Sequence, residues 1–323
     1  MLKPRYRPYF ISVAVGVFYA LVARFAFSRH LFGDNDFLLS VSFLLGTPIA
    51  LGAVSAHFTS PEASGWWRQL WAPLLNTLLF LVAALLFHLE GMICVLMMAP
   101  IFLLLGYVGA TLYVNFTDPD DEPRDKTLAV ATFALLPFVA APIERQLTTP
   151  DTIRRVENSL VINAPAAVVW QHIIRVAPIQ PADLGHSLVD NLGFPRPVEA
   201  TLTHEGVGGV RHATFERGVE FIETVDDWQP LRRLSFSIEP NTATIPPTTF
   251  DEHVIVGGKF FDVLRGTYEL QPAGPGRTRL LLYSQQRLST NINWYASLWT
   301  SFVMSEIQSR ILTVLQRRCE TRK

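Results

Sequence analysis

The most compact chemical cluster in the chain is Asp251-Glu252-His253, two carboxylates and an imidazole at consecutive positions. In a strand, Asp251 and His253 share a face and with a third ligand would suit a divalent cation. No HExxH or other spaced partner motif accompanies them, so a solvent-facing polar strand start fits the pattern as well. Glu223 and His253 would form a general acid–base pair if the fold brought them together. Arg211 carries a different signal. It alternates with Ala213 and Phe215, while His212, Thr214 and Glu216 take the opposite strand face. A guanidinium turned toward the apolar side would grip a carboxylate or phosphate through paired hydrogen bonds. At a strand edge it would make a surface salt bridge instead. Gly206-Val207-Gly208-Gly209 lacks the Gly-Lys-Ser/Thr of a phosphate loop and leads into a strand, so it reads as a hairpin turn. There is no GxSxG, and neither Cys94 nor Cys319 has a convincing His partner, which leaves nucleophilic hydrolysis little support. Two isolated thiols make no disulfide framework, and no metal or cofactor is expected.

The elements that must position these residues fall into two unlike halves. The 323-residue chain is 49% hydrophobic and only 17% charged, well below the roughly 25% charged content usual for soluble proteins. A formal net charge of −1 gives no electrostatic case for nucleic acid as a partner. Residues 1–147 hold nine Lys/Arg and ten Asp/Glu, gathered into short breaks between apolar runs; residues 148–323 hold eighteen of each, scattered as in a soluble domain. A membrane domain over 1–147 followed by a soluble domain over 148–323 is therefore expected.

A bilayer-spanning helix needs about 20 mostly apolar residues. Five stretches qualify: 9–27, 37–56, 70–87, 92–116 and 127–143, the last at the lower limit of length. His88-Leu89-Glu90-Gly91 breaks the third from the fourth. Pro48 and Pro100 are of a kind membrane helices tolerate, and Gly106 and Gly109 permit close helix contacts. Trp66, Trp67 and Trp71 stand where an aromatic belt would sit. Lys3, Arg5 and Arg7 precede an apolar run too long for a signal peptide, so the first segment reads as a retained anchor. With Arg68, Arg124 and Lys126 on the same side and Arg29 opposite, the charge bias places the N-terminus in the cytoplasm. Five spans then place the C-terminal domain outside the cytoplasm, and four would reverse that. The expected location is the inner (cell) membrane of a bacterium, with the lipid bilayer as partner and protein partners unknown.

The second half alternates as strands do. Val156–Asn163 leads into a helix, Ala166–Val176, and a Pro-rich irregular stretch runs to Pro197. Strands are expected at Val198–His204, Gly209–Arg217, Val219–Asp227, Arg232–Ile238, Phe250–Val256, Phe260–Gln271 and Thr278–Leu288, separated by Gly/Pro turns. A long helix, Asn291–Glu320, closes the chain with an apolar face and with Asn291 or Thr290 to cap it. An antiparallel sheet with one long amphipathic helix is an α+β domain.

The opening Val161-Ile162-Asn163-Ala164-Pro165-Ala166-Ala167-Val168-Val169-Trp170 resembles that of the polyketide cyclase/START-like (SRPBCC, helix-grip) superfamily. Supporting segments are Gly209-Val210-Arg211, Phe215-Glu216-Arg217-Gly218, Glu223–Trp228 and Gly266-Thr267-Tyr268-Glu269-Leu270, and the likeness covers roughly 155–320. The fold class it implies is an α-helical transmembrane half joined to a helix-grip domain, a curved antiparallel sheet around a long C-terminal helix. The resemblance also implies an apolar cavity between helix and sheet. Polar groups that would line it are Arg211, Glu216, Glu223, His253, Tyr268, Tyr283 and Arg287. The expected function is membrane-anchored binding of a lipid or other hydrophobic small molecule. The alternatives are a cyclase- or dehydrase-type enzyme and an assembly module with a closed core.

Overall fold

The computed structural model describes residues 7–28, 38–59, 66–118, 120–147, 149, 151–241 and 256–321. The chain divides into two compact units, Met1–Thr149 and Pro150–Lys323.

The first unit is helical: α1 (Arg7–Ser28), α2 (Thr47–Phe58), α3 (Ala72–Leu86), α4 (Met92–Phe116) and α5 (Pro123–Glu144). Wider π turns, Ser42–Gly46 and Trp67–Trp71, open α2 and α3. Each π turn immediately precedes a proline-bearing first turn, with Pro48 and Pro73 at its second position. A proline there donates no N–H and its ring crowds the carbonyl four residues back, and a π turn relieves both problems. Among the described residues, four helices are long and apolar enough to cross a membrane: Phe10–Ser28, Trp67–Leu86, Met92–Phe116 and Pro123–Glu144. The fifth apolar helix, Ser42–Phe58, is shorter. The short segment is thus the second, expected at 37–56, whereas the final one, expected at the limit of length, has 22 residues.

That short segment is the centre of the bundle. α2 touches α1, α3, α4 and α5 and is buried along most of its length. Its contact with α4 depends on glycine. A Cβ on Gly52 would lie 1.9 Å from the Gly106 carbonyl oxygen, and one on Gly109 would lie 1.9 Å from that of Ile49. Backbones this close are a feature of small-residue helix contacts. At one end of the unit, Arg24 Nε donates to Glu90 Oε1 at 2.5 Å and Arg24 Nη2 to the Leu89 carbonyl at 2.6 Å. Glu144 accepts hydrogen bonds from the N–H groups of Val41 and Ser42.

The second unit holds a seven-stranded sheet, antiparallel throughout and curved. Its strands are β1 (Thr152–Ile162), β2 (Pro197–Leu202), β3 (Val210–Phe215), β4 (Glu220–Gln229), β5 (Arg233–Pro240), β6 (Phe261–Pro272) and β7 (Thr278–Leu288). The spatial order is β1-β7-β6-β5-β4-β3-β2. The last helix, α9 (Asn293–Glu320), runs across β1 and β7 and against α6 (Ala166–Ile174). This is a helix-grip arrangement. The strand expected at Phe250–Val256 falls on positions outside the described residues, apart from Val256.

The Pro-rich stretch contains two single-turn helices, α7 (Pro181–Leu184) and α8 (Leu188–Asn191). Arg310 of α9 fastens both: its two terminal nitrogens reach the two carboxylate oxygens of Asp190 at 2.6 and 3.1 Å, and it donates to the carbonyls of Leu184 and Gly185. The core lies between α6, α9 and one face of the sheet, called inner below. It includes Trp170, Ile173, Leu234, Phe236, Leu280 and Leu312. Burying such side chains contributes roughly 1.5–3 kcal/mol each.

Candidate functional site

The sheet's register assembles a polar cluster on the inner face. β3 and β4 are joined by a tight turn, Glu216–Gly218, in which Arg217 takes φ 61° and Gly218 φ 76°. The register that follows sets Arg211 directly opposite Glu223. The two side chains form an ion pair. Arg211 is only 2% exposed, so the charge is held inside the core and not at a surface edge. Its Nη2 donates to the Ile173 carbonyl of α6 at 3.3 Å. The guanidinium carbon lies 4.8 Å from the Phe236 ring centre and 5.9 Å from that of Tyr268, within cation–π range. Arg211 Nε is buried with no hydrogen-bond partner.

Burial pushes the Glu223 carboxyl above the usual carboxylate range, while the neighbouring Arg211 pulls it down. Burial likewise pushes the Tyr268 phenol up to about 12, against the pull of Arg211. Arg211, Glu223 and Tyr268 therefore meet in one place, enclosed by apolar and aromatic side chains. Chemically the cluster offers a cation with one spare donor, a carboxyl that burial and the Arg211 charge push in opposite directions, and a phenol held neutral.

A second polar group sits on the same face nearer α9. Gln308 Nε2 donates to Ser284 Oγ at 2.9 Å and to the Val156 carbonyl at 3.3 Å, and Asn158 Nδ2 donates to Gln308 Oε1 at 2.9 Å. Gln286, fully buried beside Ser284, leaves its Oε1 without a partner. Sequence reasoning missed Phe236, Gln286 and Gln308. A signal was present for Gln286, which shares strand parity with Leu280, Leu282 and Leu288.

The other expected site residues lie elsewhere. Glu216 is in the β3–β4 turn, where its carboxylate accepts the Arg196 N–H at 3.3 Å. Tyr283 and Arg287 alternate with the buried residues of β7 and so belong to the outer face. Tyr283 lies under the Arg155 guanidinium, 3.7 Å from carbon to ring centre. Arg287 donates to the carbonyls of Gly258 and Lys259 and to Ser289 Oγ. His253, with Asp251 and Glu252, lies outside the described residues. Among the described residues no group of three His, Cys, Asp or Glu side chains is placed to hold a metal ion.

The outer face has an open cleft of about 300 Å³ lined by Arg155, Asp227, Arg233, Ser235, Arg265 and Tyr283, among others. Its cations are matched one for one: Arg155 with Glu157, Arg233 with Asp227, Arg265 with Asp226.

No known family's sequence profile matches the chain, and no curated protein matches it. Solved structures do overlap about half of the chain. Truncated norcoclaurine synthase from Thalictrum flavum is 12% identical, with a TM-score of 0.35 over 55% of this chain and 99% of that one. A START superfamily protein from Mycobacterium smegmatis is 11% identical, with a TM-score of 0.35 over 52% and 99%. The ZhuI aromatase/cyclase from Streptomyces sp. R1128 is 17% identical, with a TM-score of 0.31 over 52% and 96%. Likeness at these values carries no ligand or reaction over to this chain.

Proposed function

We propose that the chain is a membrane-anchored binding protein. Its START-like domain holds a lipid or other hydrophobic small molecule. Supporting the anchor are the four helices long and apolar enough to cross a membrane. The binding reading is carried by one observation: Arg211 Nε is buried, charged and unpartnered among aromatic rings. An unsatisfied buried donor costs about 1–3 kcal/mol, and a ligand with an apolar body and one acidic or carbonyl end would remove that cost. Apolar area contributes about 25 cal/mol per Å² to the affinity of such a ligand.

The test is native mass spectrometry and lipid extraction of the full chain purified in detergent. The wild type is expected to retain a stoichiometric apolar molecule with one polar end. The Arg211→Met/Glu223→Leu pair, which removes both charges together, is expected to release it while circular dichroism stays unchanged. A folded wild type that carries nothing and binds no added fatty acid overturns the reading.

The second reading is a cyclase- or dehydrase-type enzyme, favoured by the enclosed Tyr268 phenol and the Glu223 carboxyl, both raised by burial, beside Arg211. It requires that Tyr268→Phe abolish turnover of a bound molecule without releasing it.

A further inference from the structure

The first turns of α9 present apolar side chains that stand well exposed among the described residues. Trp294 is 58% exposed, Leu298 63% and Phe302 40%. They recur every four residues and so form one stripe, about 12 Å long at 1.5 Å rise per residue. Tyr295 and Trp299 flank it, their ring centres 6.5 Å apart. Trp, Tyr, Leu and Phe on one side of a helix is the composition that settles at the boundary between headgroups and acyl chains.

The position of this stripe along the chain selects its occupant. The start of α9 is bolted to the start of β1: Asn293 Nδ2 donates to Thr152 Oγ1 at 2.9 Å, and Ser289 Oγ donates to Asp151 Oδ1 at 2.6 Å. Thr152 follows Glu144, the last residue of α5, after only seven residues. Fully extended, that connection reaches no more than about 28 Å. The stripe is therefore at the end of the domain tethered directly to an apolar helix.

We infer that Trp294, Leu298 and Phe302 form a docking surface for the lipid bilayer itself, holding the tethered end of the domain against the headgroups. The inference rests on the membrane-anchored reading above. Docking of an apolar helix face in this way buries it roughly 5–10 Å deep, at the headgroup–acyl boundary.

The experiment uses the full chain in nanodiscs of phosphatidylcholine and phosphatidylglycerol doped with lipids spin-labelled near the headgroup. An environment-sensitive fluorophore is placed at Ser297→Cys, which leaves the three apolar residues intact. Matching labels at Leu104→Cys, exposed on α4, and at Thr224→Cys, exposed on β4, serve as references. Docking predicts several-fold stronger quenching at 297 than at 224, reduced to the level at 224 by Leu298→Asp/Phe302→Asp. Quenching at 297 no stronger than at 224 overturns the inference. If 104 is then quenched by lipids labelled deep in the acyl chain, the anchored reading stands and only docking fails. If 104 is not quenched, both fall. A second copy covering the stripe would also shield 297 from lipid, and that outcome counts against docking.

Discussion

Among the described residues each half of the molecule buries one Arg–Glu pair, and the two pairs are built differently. Arg24 and Glu90 come from α1 and the turn after α3, 66 residues apart, and Arg24 also takes the Leu89 carbonyl. That pair ties two helical elements together. Arg211 and Glu223 are cross-strand neighbours whose register the β3–β4 turn has already set. This pair adds nothing to the topology, and it leaves Arg211 Nε unpartnered. Equal burial thus coexists with different purposes: a clamp in the first unit, a spare hydrogen-bond donor in the second.

Breaking either pair from the acidic side has the largest expected effect. Glu90→Leu or Glu223→Leu leaves an uncompensated buried guanidinium, a change costing about 3–5 kcal/mol. Denaturant unfolding, in detergent for the full chain, measures it. Removing both charges then separates the two designs. Arg211→Met/Glu223→Leu is expected to recover to within about 1 kcal/mol of wild type or exceed it, because an apolar pair of similar volume fits such a site. Arg24→Met/Glu90→Leu is expected to recover less, since the Leu89 carbonyl loses a 2.6 Å hydrogen bond where the Ile173 carbonyl loses only a long one of 3.3 Å. Equal recovery in the two cases would erase the distinction.

Strand parity in the sequence already turns Arg211 to the side of Ala213 and Phe215. It could not reveal Glu223 as the partner, because parity describes one strand while pairing depends on a turn geometry set by Arg217 in a left-handed conformation. In β7 the alternation of Leu280, Leu282 and Leu288 turns Gln286 inward and Tyr283 and Arg287 outward; the expectation that those two line a cavity comes from the resemblance and not from strand parity. The helices α7 and α8 have four residues each, too few for a 3.6-residue period to show. The sheet and the long closing helix were legible because their alternation persists over many residues. Gly106 and Gly109 read as close-contact positions in the sequence, but their partners Gly52 and Ile49 belong to tertiary contact, which no local pattern encodes.

Tyr268 sharpens the comparison at a smaller scale. Its phenol is held to about 12 in the folded chain against an ordinary 10. The unfolded chain therefore loses its proton first, and the native state binds more protons between those values. Stability is expected to be level up to about pH 10 and to fall as pH rises through about 12, by roughly 2–3 kcal/mol in all. Tyr268→Phe removes that slope and costs about 1 kcal/mol at neutral pH for the lost hydroxyl. Unfolding midpoints measured at several alkaline pH values for the two proteins check both. A wild-type curve that parallels the Phe variant would mean the phenol is exposed to water, which the enclosed cluster forbids.

The outer face supplies the lower bound. Arg155 and Glu157 pair there with side chains 52% and 41% exposed, in the regime where an ion pair contributes only about 0–1 kcal/mol. Glu157→Gln is expected to shift stability by less than about 0.5 kcal/mol, with the small effect vanishing in added salt because exposed charges are screened. The same measurement tests whether this face is open to solvent. A cost several times larger that persists in salt would mean that another protein surface covers the outer face and desolvates Arg155. The contrast between one buried pair inside the sheet and three solvent-accessible pairs outside it would then collapse.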